Sequence, residues 1–237
     1  MSEFTAVQGS GLVVADSGPA TRAQFIRQVY THVAGAWLAF FVFETVLLSL
    51  PFAQTFTALV LTIPFGWLGV LGAFMGVGWM ARVLVTGGLP KTYQYVGLAV
   101  YVFAEAVVFV PLLVIALAWA GPALLVNAVL LSAGLFLGLT AMVFVTRKDF
   151  SFLGSILTVA GFVSLALIVS SIIFGFDTGL WFSAAMIAVA GGAILYDTSR
   201  IIHDHKPDEY VAAALELFAS MALLLWYVIR ILLARRG

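Results

Sequence analysis

Apolar stretches of about twenty residues, the length that crosses a bilayer, recur along this chain from end to end. They run from Tyr30 to Leu50, Phe56 to Met80, Tyr93 to Trp119, Ala123 to Val145, Phe152 to Phe174, Leu180 to Ile202 and Tyr210 to Leu233. A single soluble core cannot absorb seven such segments. The surface is also short of charge: only 9% of the 237 residues are charged and 63% are hydrophobic, with a mean hydropathy of +1.14, whereas soluble domains carry charge on roughly a quarter of their residues. The chain therefore reads as an all-α polytopic membrane protein with seven transmembrane helices.

The breaks between segments carry turn chemistry: Leu50-Pro51, Gly87-Gly88-Leu89-Pro90, Gly121-Pro122, Phe176-Asp177-Thr178-Gly179 and Lys206-Pro207-Asp208. Short connections make sequence neighbours antiparallel neighbours. Arg22, Arg27, Arg82, Lys91, Arg147, Lys148, Arg200 and Lys206 all fall at one set of segment ends, and the opposite connections hold no Lys or Arg. Because basic residues in short loops stay on the cytoplasmic side, the N-terminus is expected inside. Arg235 and Arg236 break the alternation, so the last segment either crosses fully despite its charges or re-enters and returns; a full crossing is the preferred reading. Residues 1–21 are small and polar without a basic start and apolar run, so a cleavable signal peptide is not expected. They read as a disordered cytoplasmic tail before a membrane domain over 22–237.

Several function classes drop out. Formal net charge is zero, so no basic field draws nucleic acid. The absence of cysteine removes disulfides, thiolate metal sites and cysteine nucleophiles. No Walker loop, zinc-protease helix or serine elbow is present, and Gly76-Val77-Gly78-Trp79-Met80-Ala81 neither follows a strand nor opens a soluble helix. No catalytic residue and no cofactor is assigned. Gly72 with Gly76, and Gly134 with Gly138, have the spacing of small-residue seams that let helix backbones approach.

Four carboxylates fall inside the apolar segments: Glu44, Glu105, Asp197 and Glu216. Each costs roughly 2 to 4 kcal/mol if ionised and unpaired at mid-membrane, so they are expected to face the bundle interior and to have partners. At a rise of about 1.5 Å per residue, Asp197 and Glu216 both lie roughly 8 to 10 Å from the cytoplasmic boundary and Glu44 and Glu105 roughly 20 Å from it. Two carboxylates in contact cannot both ionise cheaply and share a proton. When that proton leaves, they offer the hard oxygen ligands that calcium prefers. Asp197 and Glu216 are thus the expected proton sensor and the candidate calcium ligands. His32, His203 and His205 are taken as residues near the membrane ends, the last two as solvated loop residues.

The run Ala193-Ile194-Leu195-Tyr196-Asp197-Thr198-Ser199-Arg200 resembles the hallmark stretch of the Bax inhibitor-1 family. Thr146-Arg147-Lys148-Asp149-Phe150-Ser151-Phe152-Leu153-Gly154 is similar to the family's loop after the fourth helix, and Tyr210 to Phe218 with Tyr227-Val228-Ile229-Arg230 to its last helix. The resemblance covers almost everything after Thr21. It implies a seven-helix bundle with the last helix central, and a pH-sensitive calcium leak sensed by an aspartate pair on the last two helices and latched by an arginine on the second. Asp197 matches the first aspartate; the second is replaced by Ser220, which cannot share a proton as a carboxylate does. Glu216, one turn earlier on the same face, is the expected substitute. Arg82 is the local candidate for the latch.

Three functions follow as expectations. The first is a calcium leak channel or transporter gated by protonation of Asp197 and Glu216, with Glu105, Glu44 and Ser220 along the pathway and calcium as the transported ion. The second is a non-conducting regulatory protein that binds a membrane protease or a survival factor, since the family's bacterial members are linked to membrane-protease control. The third, an intramembrane aspartyl protease suggested by Tyr196-Asp197, lacks the second Gly-x-Gly-Asp aspartate that activates water, and the chain is not expected to be an enzyme. A short Ala- and Gly-rich chain without long loops suits a bacterial inner membrane.

Overall fold

The computed structural model describes residues 13–86 and 88–235. They form a 3-10 turn, Val14–Asp16, and eight helices: α1 Pro19–Ser49, α2 Pro51–Thr62, α3 Gly66–Thr86, α4 Lys91–Ala120, α5 Pro122–Thr146, α6 Leu153–Phe174, α7 Gly179–His203 and α8 Tyr210–Ala234. Seven of these, all but α2, are long and apolar enough to cross a membrane. No strand occurs among the described residues.

Proline and positive-φ residues punctuate the bundle, at the predicted breaks Leu50-Pro51 and Gly121-Pro122 and also at Pro19 and Gly175. Pro19, Pro51 and Pro122 open α1, α2 and α5 at the first turn, where a missing N–H costs nothing and the fixed φ suits a helix. Gly121 (φ 73) and Gly175 (φ 69) close α4 and α6 in conformations that side chains resist.

The second apolar segment differs from expectation. The stretch Phe56 to Met80 is broken at Ile63-Pro64-Phe65 into α2 and α3. Pro64 cannot donate a helical hydrogen bond and pushes Ile63 into extended backbone (ψ 127), after which Phe65 turns back with φ 61. Gly66 completes the reversal, since a Cβ there would sit 2.4 Å from the Val60 carbonyl oxygen. With 12 residues, α2 is about 18 Å long and too short to span.

The last helix lies at the centre. α8 packs against α1, α3, α4, α5 and α7, and its side chains are buried on most faces, from Tyr210 through Ile229. It is one unbroken helix of 25 residues with no return. α6 is peripheral: it leans on α7, meets α3 only briefly and buries almost nothing.

Two expectations about packing are corrected. A Cβ built on Gly72, Gly76, Gly134 or Gly138 meets nothing within 4 Å, so these glycines are not seams between helices of this bundle. The close approach is at Gly97 of α4, where a Cβ would lie 2.9 Å from Leu84 Cβ and 3.1 Å from the Ala81 carbonyl oxygen of α3. The predicted tail is also ordered from residue 13 onward. Val14 is fully buried, and its N–H donates to the His205 carbonyl at 2.8 Å. The Arg22 guanidinium donates to the Ala15 carbonyl at 2.5 Å and pins the turn to α1. Residues 1–12 lie outside the described residues.

Candidate functional site

The Asp204 to Glu209 connection folds α8 back along α7, so side chains one turn apart on each helix meet in opposite order. Asp197 and Arg200 of α7 face Ser220 and Glu216 of α8. Ser220 Oγ donates to Asp197 Oδ2 at 2.5 Å, and Arg200 Nη1 donates to Glu216 Oε2 at 2.9 Å. The expected partnership of Asp197 with Glu216 therefore does not form as a direct bond. At this register the hydroxyl of Ser220 reaches Asp197, while Glu216, a turn nearer the connection, reaches the guanidinium. The two carboxylates remain within each other's field.

Arg200, and not the expected latch Arg82, makes the ion pair with Glu216. Arg82 lies at the same cavity and attracts Asp197 electrostatically, but among the described residues it forms no ion pair within 4 Å; Arg200 pairs with Glu216 and, at 4.0 Å, with Asp204. The signal for Arg200 was its place three residues after Asp197, on the same helical face.

His205 is the residue the sequence reading missed most clearly. It is 97% buried rather than solvated, with Nδ1 3.3 Å from Glu209 Oε2 and Nε2 3.4 Å from Glu216 Oε2. Burial pulls its pKa down, but the Glu209 and Glu216 carboxylates outweigh that and hold it above its ordinary value. The same contact, with the Lys206 N–H, holds the Glu209 carboxyl down at about 2. His203 caps α7 through the Ser199 carbonyl, and His32 stacks on Tyr95. The loop after α5 is docked by Phe150 N–H to Ser199 Oγ at 3.0 Å.

A cavity of about 1140 Å³ runs past this network. It is lined by Arg82 from α3, Glu105 from α4, Asp197 and Arg200 from α7, and Glu216 and Ser220 from α8. At its other end stands Arg230, whose Nη2 donates to Thr178 Oγ1 at 3.2 Å. Glu216 and Arg230 are about 21 Å apart along the α8 axis, most of the thickness of a hydrocarbon core.

Glu44 lies outside the cavity lining. Its helix α1 runs antiparallel to α4, and the ring contact of Phe40 with Phe109 at 5.1 Å sets the register. One turn on, this places Glu44 opposite Glu105, between apolar buried positions that include Leu47 and Val102. Both oxygens of Glu44 and Oε2 of Glu105 are buried without a protein hydrogen-bond partner. Tyr101 stands beside Glu105 on α4.

Asp197 and Glu216, the expected calcium ligands, each accept from a protein donor, Ser220 and Arg200 respectively. Among the described residues no group of three or more His, Cys, Asp or Glu is placed to hold a metal ion.

Residues 22–237 match the family model described as inhibitor of apoptosis-promoting Bax1. The chain belongs to the Bax inhibitor-1 family. It is 28% identical over 225 residues to Bax inhibitor 1 of Schizosaccharomyces pombe, covering 92% of this chain and 79% of that protein. It is 32% identical over 154 residues to the modulator of FtsH protease YccA of Escherichia coli K12, covering 65% and 58%. With protein lifeguard 4 of Mus musculus it shares 31% identity over 117 residues, 46% of each chain.

Proposed function

We propose that this chain is a pH-responsive pathway for cations across a bacterial inner membrane, with calcium as the transported ion and Asp197 as its titrating group. The observation that carries the reading is Asp197 itself, 92% buried yet opening on a charged cavity that follows α8 for most of the membrane thickness. Four acids line that cavity (Glu105, Asp177, Asp197, Glu216) against three arginines (Arg82, Arg200, Arg230). With all seven ionised the lining carries one excess negative charge; protonating Asp197 cancels it. In a low-dielectric passage a single charge is worth several kcal/mol to a divalent cation, so the protonation state of Asp197 decides whether one enters. Ser220 positions the carboxylate without competing for its proton. Glu44 and Glu105 form a second acidic station, where a shared proton would remove one of two charges that the apolar seam cannot solvate.

The test is calcium uptake into liposomes carrying the purified protein, followed as pH is varied. Uptake is expected to rise with pH, and Asp197→Asn is expected to be low and flat. A wild-type pH profile in Asp197→Asn would overturn the assignment. The basic ends of α3, α5 and α7 support a cytoplasmic placement of the Arg200 end and of the N-terminus.

A second reading is favoured by one relative, whose name is modulator of FtsH protease. On that reading the bundle docks on a membrane protease and does not conduct. Stoichiometric co-purification with a membrane protease, and no uptake by the isolated protein, would select it.

A further inference from the structure

His205 is itself almost fully buried and has carboxylate oxygens near both ring nitrogens, the partly exposed Glu209 at 3.3 Å and the mostly buried Glu216 at 3.4 Å. A neutral imidazole has one N–H and one lone pair, so it can satisfy only one of these carboxylates and must present its lone pair to the other. Nδ1 is hydrogen-bonded to Glu209, and Nε2 stands at ion-pair distance from Glu216 but outside hydrogen-bond geometry. Two carboxylates beside the ring favour its charged form.

The same residue holds the start of the fold. Its carbonyl accepts the Val14 N–H at 2.8 Å, and its ring lies 6.3 Å from that of Phe25 on α1. The turn Val14–Asp16 packs on α1 and α7 and is tied by Arg22 to the Ala15 carbonyl. The charged groups acting on His205 are Glu209 from the connection, Glu216 from α8 and Arg200 from α7; α1 presents the Phe25 ring and the turn presents a backbone amide. Glu216 is also the partner of Arg200 in the cavity, so one carboxylate belongs both to the clamp around His205 and to the cavity wall.

We infer that His205 is a pH-responsive clamp that fastens the N-terminal turn against α1 and α7 and fixes the position of Glu216 in the cavity wall. This rests on the pathway reading only for its consequence, the charge that Glu216 presents to the cavity. Two carboxylates hold the imidazolium, so the clamp is complete at pH below the ordinary histidine range. It is lost as pH rises through the raised value. The neutral ring then loses its attraction to one carboxylate, the His205 backbone is left with its N–H bond to the Arg200 carbonyl at 3.1 Å, and the turn held by its carbonyl loosens. Glu216 is left to Arg200 alone.

The chain has no cysteine, so a single Gly18→Cys change gives a unique label site, at a position where a side chain meets nothing within 4 Å. Spin-label mobility at residue 18 is expected to rise with pH, with a midpoint matching the His205 titration seen by NMR, the His205 resonance being identified by its loss in His205→Gln. In the Gly18→Cys background, His205→Gln is expected to abolish the pH-dependent step. Glu209→Gln, which keeps the histidine, is expected to move both the titration and the mobility step to lower pH together. Mobility independent of pH, or an unchanged step in His205→Gln, would overturn the clamp. None of these readouts needs ion flux, so a moving turn without calcium uptake would reject the pathway and leave the clamp standing, and the reverse result would do the opposite.

Discussion

Glu216 and Glu44 are the same side chain at different levels of one bundle, yet Glu216 meets Arg200 at 2.9 Å and His205 at 3.4 Å while neither oxygen of Glu44 has a protein donor. The difference follows from their surroundings. The α7/α8 corner lies next to a connection rich in charged residues, and a buried carboxylate there has cations within reach. The α1/α4 seam is apolar above and below, with Phe40 and Phe109 on one side and Leu47 and Val102 on the other. A carboxylate in the first setting is a structural and electrostatic element of an ion-pair network. In the second its only compensation is a proton, or the neighbouring carboxyl group that carries one.

Removing one partner from each region separates the two cases. Arg200→Met should have the largest effect, because it leaves the mostly buried Glu216 with His205 alone; a loss of about 2–3 kcal/mol is expected for a charged hydrogen bond broken on one side, read as a lowered thermal midpoint in detergent. Ser220→Ala should cost about 1 kcal/mol, the net worth of one buried hydrogen bond, and it should also alter the pH response of calcium uptake without abolishing it. Glu44→Gln should change the thermal midpoint least, by less than about 0.5 kcal/mol or with a slight gain, since no protein donor is lost and a charge is removed from apolar surroundings. A destabilisation by Glu44→Gln as large as that of Arg200→Met would erase the contrast between the regions.

The contrast also marks how far the residues alone could be read. The four intramembrane acids stood out in the sequence because each interrupts an apolar run, and the structure buries three of them and mostly buries Glu216. Their pairing was not legible. Asp197 and Glu216 lie at matching depth, but a helix places neighbouring residues about 100° apart, and the register between α7 and α8 gives Ser220 to Asp197 and Arg200 to Glu216. His205 was misread because a charged, proline-containing connection looks solvated until the Val14–Asp16 turn is seen packed over it. The break at Pro64 had a local signal, the proline itself, which the continuous hydropathy of the second segment outweighed.

What the sequence determined was where the chain crosses, where it turns and which side chains are out of place in lipid. Each of those depends on the transfer free energy and backbone preference of a short segment taken alone. What only the tertiary structure decided was which displaced side chain meets which. That depends on the rotation and sliding of whole helices against one another, with α8 at the centre setting the register for Asp197, Arg200, Glu216 and His205 together. Contacts between residues 16 to 23 positions apart are fixed by packing energy summed over the bundle, and no single segment contains that sum.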